Sequence, residues 1–271
     1  MFAPLLMLLQ PAAADPAFRP PTDTALIVET RRVQTEAAAQ SVFTATRRIR
    51  FAREQGGYAA TVTVISVEGQ SPGDAGALFE AGYGFLLGRS VTVHLDAAGN
   101  VVSVDNLDML WRDLCASLAE RFVAARGIAD SERRDRMVAQ VAAALRAWPE
   151  DRRRAAFASM VTDIVAPDAL PRAGTSEPVR VPGHAPDGER IILTGTAATR
   201  AQGPLLYVLT EASGEQAGER PVRIARSEEL VFDPATGLIR RHVERSRTEI
   251  GIGGDRDILE YETTISVAAE S

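Results

Sequence analysis

Apolar and polar positions alternate with a period of two over several long stretches of this chain, the spacing of strands that bury one face. Thr24–Arg31 is apolar in its middle, and Ser41–Ala52 sets Val42, Ile49 and Phe51 among polar neighbours. Tyr58–Val67 (YAATVTVISV) is rich in β-branched residues, which favour strands. Gln55-Gly56-Gly57 between the last two predicts a hairpin turn. Ser71-Pro72-Gly73-Asp74 then opens a helix with a capping Ser, a Pro at the first helical position and an acid three residues on. Leu78, Phe79 and Leu86 form its apolar side, and Gly88 closes it.

Ser90–Leu95 and Val101–Val104 alternate again around the turn Asp96–Asn100. The period changes after Asp105, which is placed to cap a helix. Leu107, Leu110, Trp111, Leu114, Leu118 and Phe122 recur at helical spacing, and Gly127 ends the run. Ser131 opens a second helix with Met137, Val138, Val141 and Leu145 on one face. Pro149 starts a third, through Phe157, Met160 and Ile164. Pro167–Pro186 has no periodicity and reads as a loop. Strands resume at Arg190–Arg200, Leu205–Ala212, Val222–Phe232, Leu238–Thr248 and Ile258–Val267. Their short connections imply antiparallel neighbours.

The expected organisation is a signal peptide over 1–14, an extended leader over 15–23 and a β-rich part with one helix over 24–104. A helical segment over 105–166, a linker over 167–189 and an antiparallel β part over 190–271 follow. The fold class is α+β: a curved antiparallel sheet built from the N- and C-terminal parts, with the helical middle segment packed against it.

Residues 1–14 (MFAPLLMLLQPAAA) carry a short apolar run followed by small residues, and the polar Asp15-Pro16 comes next. That is the layout of a secretory signal, without a basic residue before the apolar run, and it predicts a periplasmic or secreted protein. No later stretch approaches the ~18 apolar residues of a membrane-spanning helix. The net charge of −6 argues against nucleic acid as a partner. Every basic residue is Arg, with no Lys, and Asn occurs only at Asn100 and Asn106, as a GC-rich genome would produce.

Residues able to carry chemistry are few. Cys115, the only cysteine, falls on the apolar helix face beside Trp111 and Leu118 and reads as core. His94, His184 and His242 show no metal-ligand spacing, so neither a metal nor a cofactor is expected. Gly251-Ile252-Gly253-Gly254 joins two strands and reads as a hairpin turn. Asp105 with Asp108, and Glu228 with Glu229, read as capping and surface charges. No residue is nominated as catalytic. Arg241, Arg245 and Arg247 share one side of a strand, where a concave sheet would turn them toward an anionic ligand.

Two segments, VHLDAAGNVVSV (93–104) and LVFDPATGLIRR (230–241), share the order strand, Asp-led turn with Gly, strand. Such hairpins resemble those of uncharacterised secreted proteins of GC-rich proteobacteria. In outline, strands curling around helices are also similar to the periplasmic lipoprotein-carrier fold. That resemblance is one of architecture and implies a pocket between sheet and helices. The function expected is non-catalytic binding or carriage of a hydrophobic or amphipathic small molecule. Leu78, Phe79, Trp111, Phe122, Trp148, Arg241 and Arg245 are the candidate ligand-binding residues. The alternatives are docking to another envelope protein through Met137, Val141 and Leu145, and a hydrolase with a dispersed site.

Overall fold

The computed structural model describes residues 18–36, 39–72, 75–166, 173–185, 188–218, 220–252 and 255–270. The segment 1–14 read as a signal peptide, Asp15–Ala17, Gly73-Asp74 at the expected helix start, residues 167–172 and Gly253-Gly254 lie outside them.

Eleven strands form one antiparallel sheet. β1 (Leu26–Glu36), β2 (Ala39–Glu54), β3 (Gly57–Gln70), β4 (Ser90–Asp96) and β5 (Val101–Val104) make one meander. β6 (Ser176–His184), β7 (Arg190–Gln202), β8 (Leu205–Gln216), β9 (Val222–Asp233), β10 (Leu238–Ile252) and β11 (Asp255–Ala269) make another. Pairing of β1 with β11, from Leu26↔Ala269 to Glu36↔Leu259, joins them into the order β5-β4-β3-β2-β1-β11-β10-β9-β8-β7-β6. The sheet is not closed: β5 and β6 are its edges. Both ends of the chain therefore contribute to one sheet around the helical middle.

β6 runs through the segment read as a linker, where Pro178 and Pro182 mask its strand pattern. Proline cannot donate to a neighbouring ladder, so strands tolerate it at an edge with the missing N–H facing outward. The two prolines lie four positions apart, so both occupy outward positions. Of the outward positions 178, 180 and 182 only Arg180 keeps a donor, which blunts this edge against pairing with another chain.

Four helices lie on one face: α1 (Ala75–Gly84), α2 (Leu107–Ala124), α3 (Ser131–Arg146) and α4 (Glu150–Thr162). α1 packs on β2 and β3, and α4 on β3, β4 and β5, while α3 rests on α2. Leu26, Val28, Ile49, Val62 and Val93 point into this layer and are almost fully buried with Trp111, Phe157, Val161 and Ile164. Burying each such side chain stabilises the fold by about 1.5–3 kcal/mol. The caps differ from expectation. α2 starts at Asn106, in a left-handed conformation with no side-chain cap bond, because the Asp105 carboxylate is held by His94. Asp130, rather than Ser131, caps α3 through the Arg133 amide.

The sheet bends around the helices. Flat, β4 and β10 would lie five strand spacings, about 24 Å, apart. Yet Val165, just after α4, forms a bridge with Leu238 at the start of β10. Its Cγ1 also lies 3.0 Å from where a Cβ on Gly99, in the β4–β5 turn, would stand. One residue meets both hairpins only if the helix-bearing face is concave. Gly99, at φ 91°, supplies the left-handed turn and leaves the room that Phe18 and Val165 fill. In each of the two similar hairpins the leading Asp accepts turn amides: Asp96 from Ala98 and Asn100, Asp233 from Ala235.

Candidate functional site

The opposite face carries a trough. Cross-strand partners stack into rows when several strands keep register, and alternate residues share a face. One row runs Thr35, Glu260, Arg247, Ala225, Ser213, Thr194 across β1, β11, β10, β9, β8 and β7. The row two residues away runs Val33, Glu262, Arg245, Ser227, Glu211, Thr196. Both rows line a cleft of about 660 Å³, and the backbone between them is its floor. In β1 these are odd-numbered positions, whereas Val28 and Thr30 point to the helices, so helices and trough sit on opposite faces. The right-handed twist of a sheet makes it a saddle, which lets each face be concave along its own diagonal.

Arg245 and Arg247 are paired with glutamates, while Glu211 adds a carboxylate with no cationic partner among the described residues. Arg245 Nε donates to Glu262 Oε2 at 2.8 Å, and Arg247 Nη1 to Glu260 Oε1 at 2.6 Å. Arg247 Nε also donates to Glu249 Oε1 at 2.9 Å, and Arg256 reaches the same carboxylate. The Arg247 hydrogen bond holds Glu249 below the usual glutamate range, and Glu249 in turn raises Arg247. Both groups are thereby kept charged, which suits neither for proton transfer near neutral pH. Thr35, Thr194, Thr196, Ser213 and Ser227 add neutral hydroxyls. Further along the same face, Ala198, Tyr207, Leu209 and Glu229 line a depression of about 250 Å³, with the Arg200 guanidinium 5.2 Å from the centre of the Tyr207 ring.

The helix-bearing face holds a different polar group. Arg47, 3% exposed, reaches under the end of α4. Its Nε donates to the Met160 carbonyl at 2.9 Å, Nη1 donates to Thr30 Oγ1 at 2.8 Å, and Nη2 lies 3.8 Å from Asp163 Oδ2. Burial lowers the guanidinium pKa, and Asp163 and Tyr83 oppose the shift. Burial likewise raises Asp163 against the pull of Arg47 and His242. Tyr83 is raised mainly by burial. Next to them His242 Nε2 stands 3.0 Å from Glu228, and Arg226 stands 3.1 Å from Glu244. Hydrogen bonding to His242 lowers Glu228. This cluster ties α4 to the sheet.

A third polar group sits near the β5 edge. His94 lies between two carboxylates, Nδ1 at 2.8 Å from Glu54 and Nε2 at 3.0 Å from Asp105. The Glu54 hydrogen bond, followed by that of Asp105, raises the imidazole pKa against some desolvation. Among the described residues no group of three metal-ligating side chains forms, and no helix is long and apolar enough to cross a membrane.

The nominated ligand-binding residues fall into two places. Phe79 is half-buried in α1 and stacks with Phe43 and Tyr83, each 5.0 Å between centroids. Leu78 is in α1, and its side chain lies outside the described set. Trp111 is core: its Nε1 donates to the Leu145 carbonyl, and its ring meets Trp148 at 5.5 Å and Phe157 at 6.4 Å. Phe122 is half-buried beneath Arg126, and Trp148 is 41% exposed beside Arg152. Arg245 lines the trough, while Arg241 sits on the same face 4.0 Å from Glu229. Sequence put Arg241, Arg245 and Arg247 on one side of a strand, as the structure has them, but missed the hydroxyl and glutamate neighbours of Arg245. Cys115 is buried, and burial raises its thiol pKa, as expected of a core residue.

No known family model matches this chain. No curated protein matches it significantly either.

Proposed function

We propose that this is a non-catalytic binding protein of the bacterial envelope that takes an amphipathic ligand along the trough. The observation that carries the reading is the cleft of about 660 Å³ between the two side-chain rows. Its volume is that of small-molecule sites, on the order of 300–1,000 Å³. Its lining mixes aliphatic groups (Val33, Ala225, the Thr methyls) with hydroxyls and fixed ion pairs, which suits a ligand with apolar faces and polar edges. Export is part of the proposal and rests on the apolar and small-residue pattern of residues 1–14. The architectural resemblance to the periplasmic lipoprotein-carrier fold is kept, with one change: the ligand lies on the face away from the helices.

Docking through Met137, Val141 and Leu145 receives no support from their environment. All three are half-buried, and Leu145 packs against the core.

Native mass spectrometry of the chain, purified gently from a bacterial periplasm, tests the binding reading. A reproducible added mass that Ser213→Trp abolishes is the expected result. An added mass that Ser213→Trp retains, or a clean apo mass alone, overturns the assignment to the trough.

A further inference from the structure

We infer that the trough takes a neutral, linear, polyhydroxylated ligand, a segment of an uncharged glycan chain. This rests on the binding reading above and names its ligand class. Three observations carry it. The first is charge: Arg245 is committed to Glu262 and Arg247 to Glu260 and Glu249. An anionic ligand would have to draw those guanidinium groups from their glutamates and leave carboxylates facing its own charge. An apolar chain would cover the same pairs without returning the hydrogen bonds they exchange with water, a cost of about 1–3 kcal/mol for each polar group left unpaired. Hydroxyl groups can donate to the glutamates and accept from the arginines while every pair stays closed.

The second is the rest of the lining. Beyond β10 the rows become Ala225, Ser213 and Thr194 beside Ser227, Glu211 and Thr196: four small donor–acceptor groups that match a chain of hydroxyls, and one carboxylate that a hydroxyl can donate to. The floor's own amides and carbonyls are spent in the β7–β11 ladders, so a peptide would find no free backbone to pair with. Recognition falls to side chains.

The third is shape. The two rows are set about 7 Å apart along the strands, backbone to backbone, and six strands make the trough about 24 Å long. It crosses the strands and is elongated, so it fits an extended chain of sugar rings better than a branched or compact solute.

The test is isothermal titration of the full chain with neutral hexasaccharides of glucose and of N-acetylglucosamine, beside a sulfated oligosaccharide and a zwitterionic detergent below its micelle concentration. At least one neutral hexasaccharide is expected to bind. Its affinity should change less than about twofold between about 50 mM and about 500 mM salt, because no net charge is screened. Ser213→Trp, at an exposed position of the trough, should weaken it by at least about tenfold while circular dichroism and melting stay unchanged. If the detergent or the sulfated sugar binds in the trough and the neutral sugars do not, the glycan inference falls and the binding reading stands. If no probe binds and no added mass accompanies the purified chain, both fall.

Discussion

The corner at Arg47 and the trough at Arg245 and Arg247 use the same side chain, in the same sheet, to different ends. Arg47 points to the helix-bearing face, is itself almost fully buried, and meets Met160, Thr30 and the partly exposed Asp163. Arg245 and Arg247 point the other way, are about half exposed, and meet glutamates on the neighbouring strand. A buried ion needs every partner it has, because an unpaired charge there costs several kcal/mol. An exposed pair is screened and contributes about 0–1 kcal/mol. Stability is therefore concentrated at the helix layer, and the trough's ion pairs add little to it.

Four substitutions probe that contrast, the largest effect first. Arg47→Ala should destabilise the fold by about 3–5 kcal/mol in denaturant melts, since it leaves the Met160 carbonyl and the Thr30 hydroxyl without their buried donor and empties the space of the side chain, while Asp163, 41% exposed, keeps its water. Leu238→Ala, at a fully buried position where β10 meets Val165, should lose about 2–5 kcal/mol and loosen the bend that joins the two hairpins. A loss under about 1 kcal/mol at either site would erase the distinction between the two faces. Arg245→Ala should cost no more than about 1 kcal/mol, and Ser213→Trp should stay within about 0.5 kcal/mol of the unaltered chain, both read by thermal melting.

His94 adds a pH dependence of known sign. Glu54 and Asp105 raise its folded-state pKa above the unfolded value near 6.5. The pairs' contribution is therefore complete below about pH 6.5 and is lost as pH rises through the raised folded-state value. His94→Gln should flatten that part of the stability profile. A profile unchanged by the substitution would show that the two carboxylates do not hold the imidazolium.

Much of the strand order was legible because alternation and turn chemistry agree. The Gln55-Gly56-Gly57 turn and the two Asp-led hairpins appear where expected, and Leu107 to Phe122 forms one helix. The lapses have physical causes. Pro178 and Pro182 hide β6, since edge position is invisible before the strand order is known. Asp105 looks like a cap but is taken by His94, forty residues from the other partner, Glu54. Arg47 could have been found: Ala45, Arg47, Ile49 and Phe51 share one parity, and the three neutral members are plainly inward. The trough could not, because its rows depend on registers that join residues as distant as Val33 and Glu262.

The most direct test of the account is a two-dimensional amide and indole NMR titration of the full chain with a neutral hexasaccharide. The chain has two tryptophans, Trp111 and Trp148, both at the helix layer. The account predicts shifts at Ser213, Ala225, Ser227 and Arg245, with both indole signals unmoved. Movement of the indoles with the trough residues silent would place the ligand under the helices and contradict it.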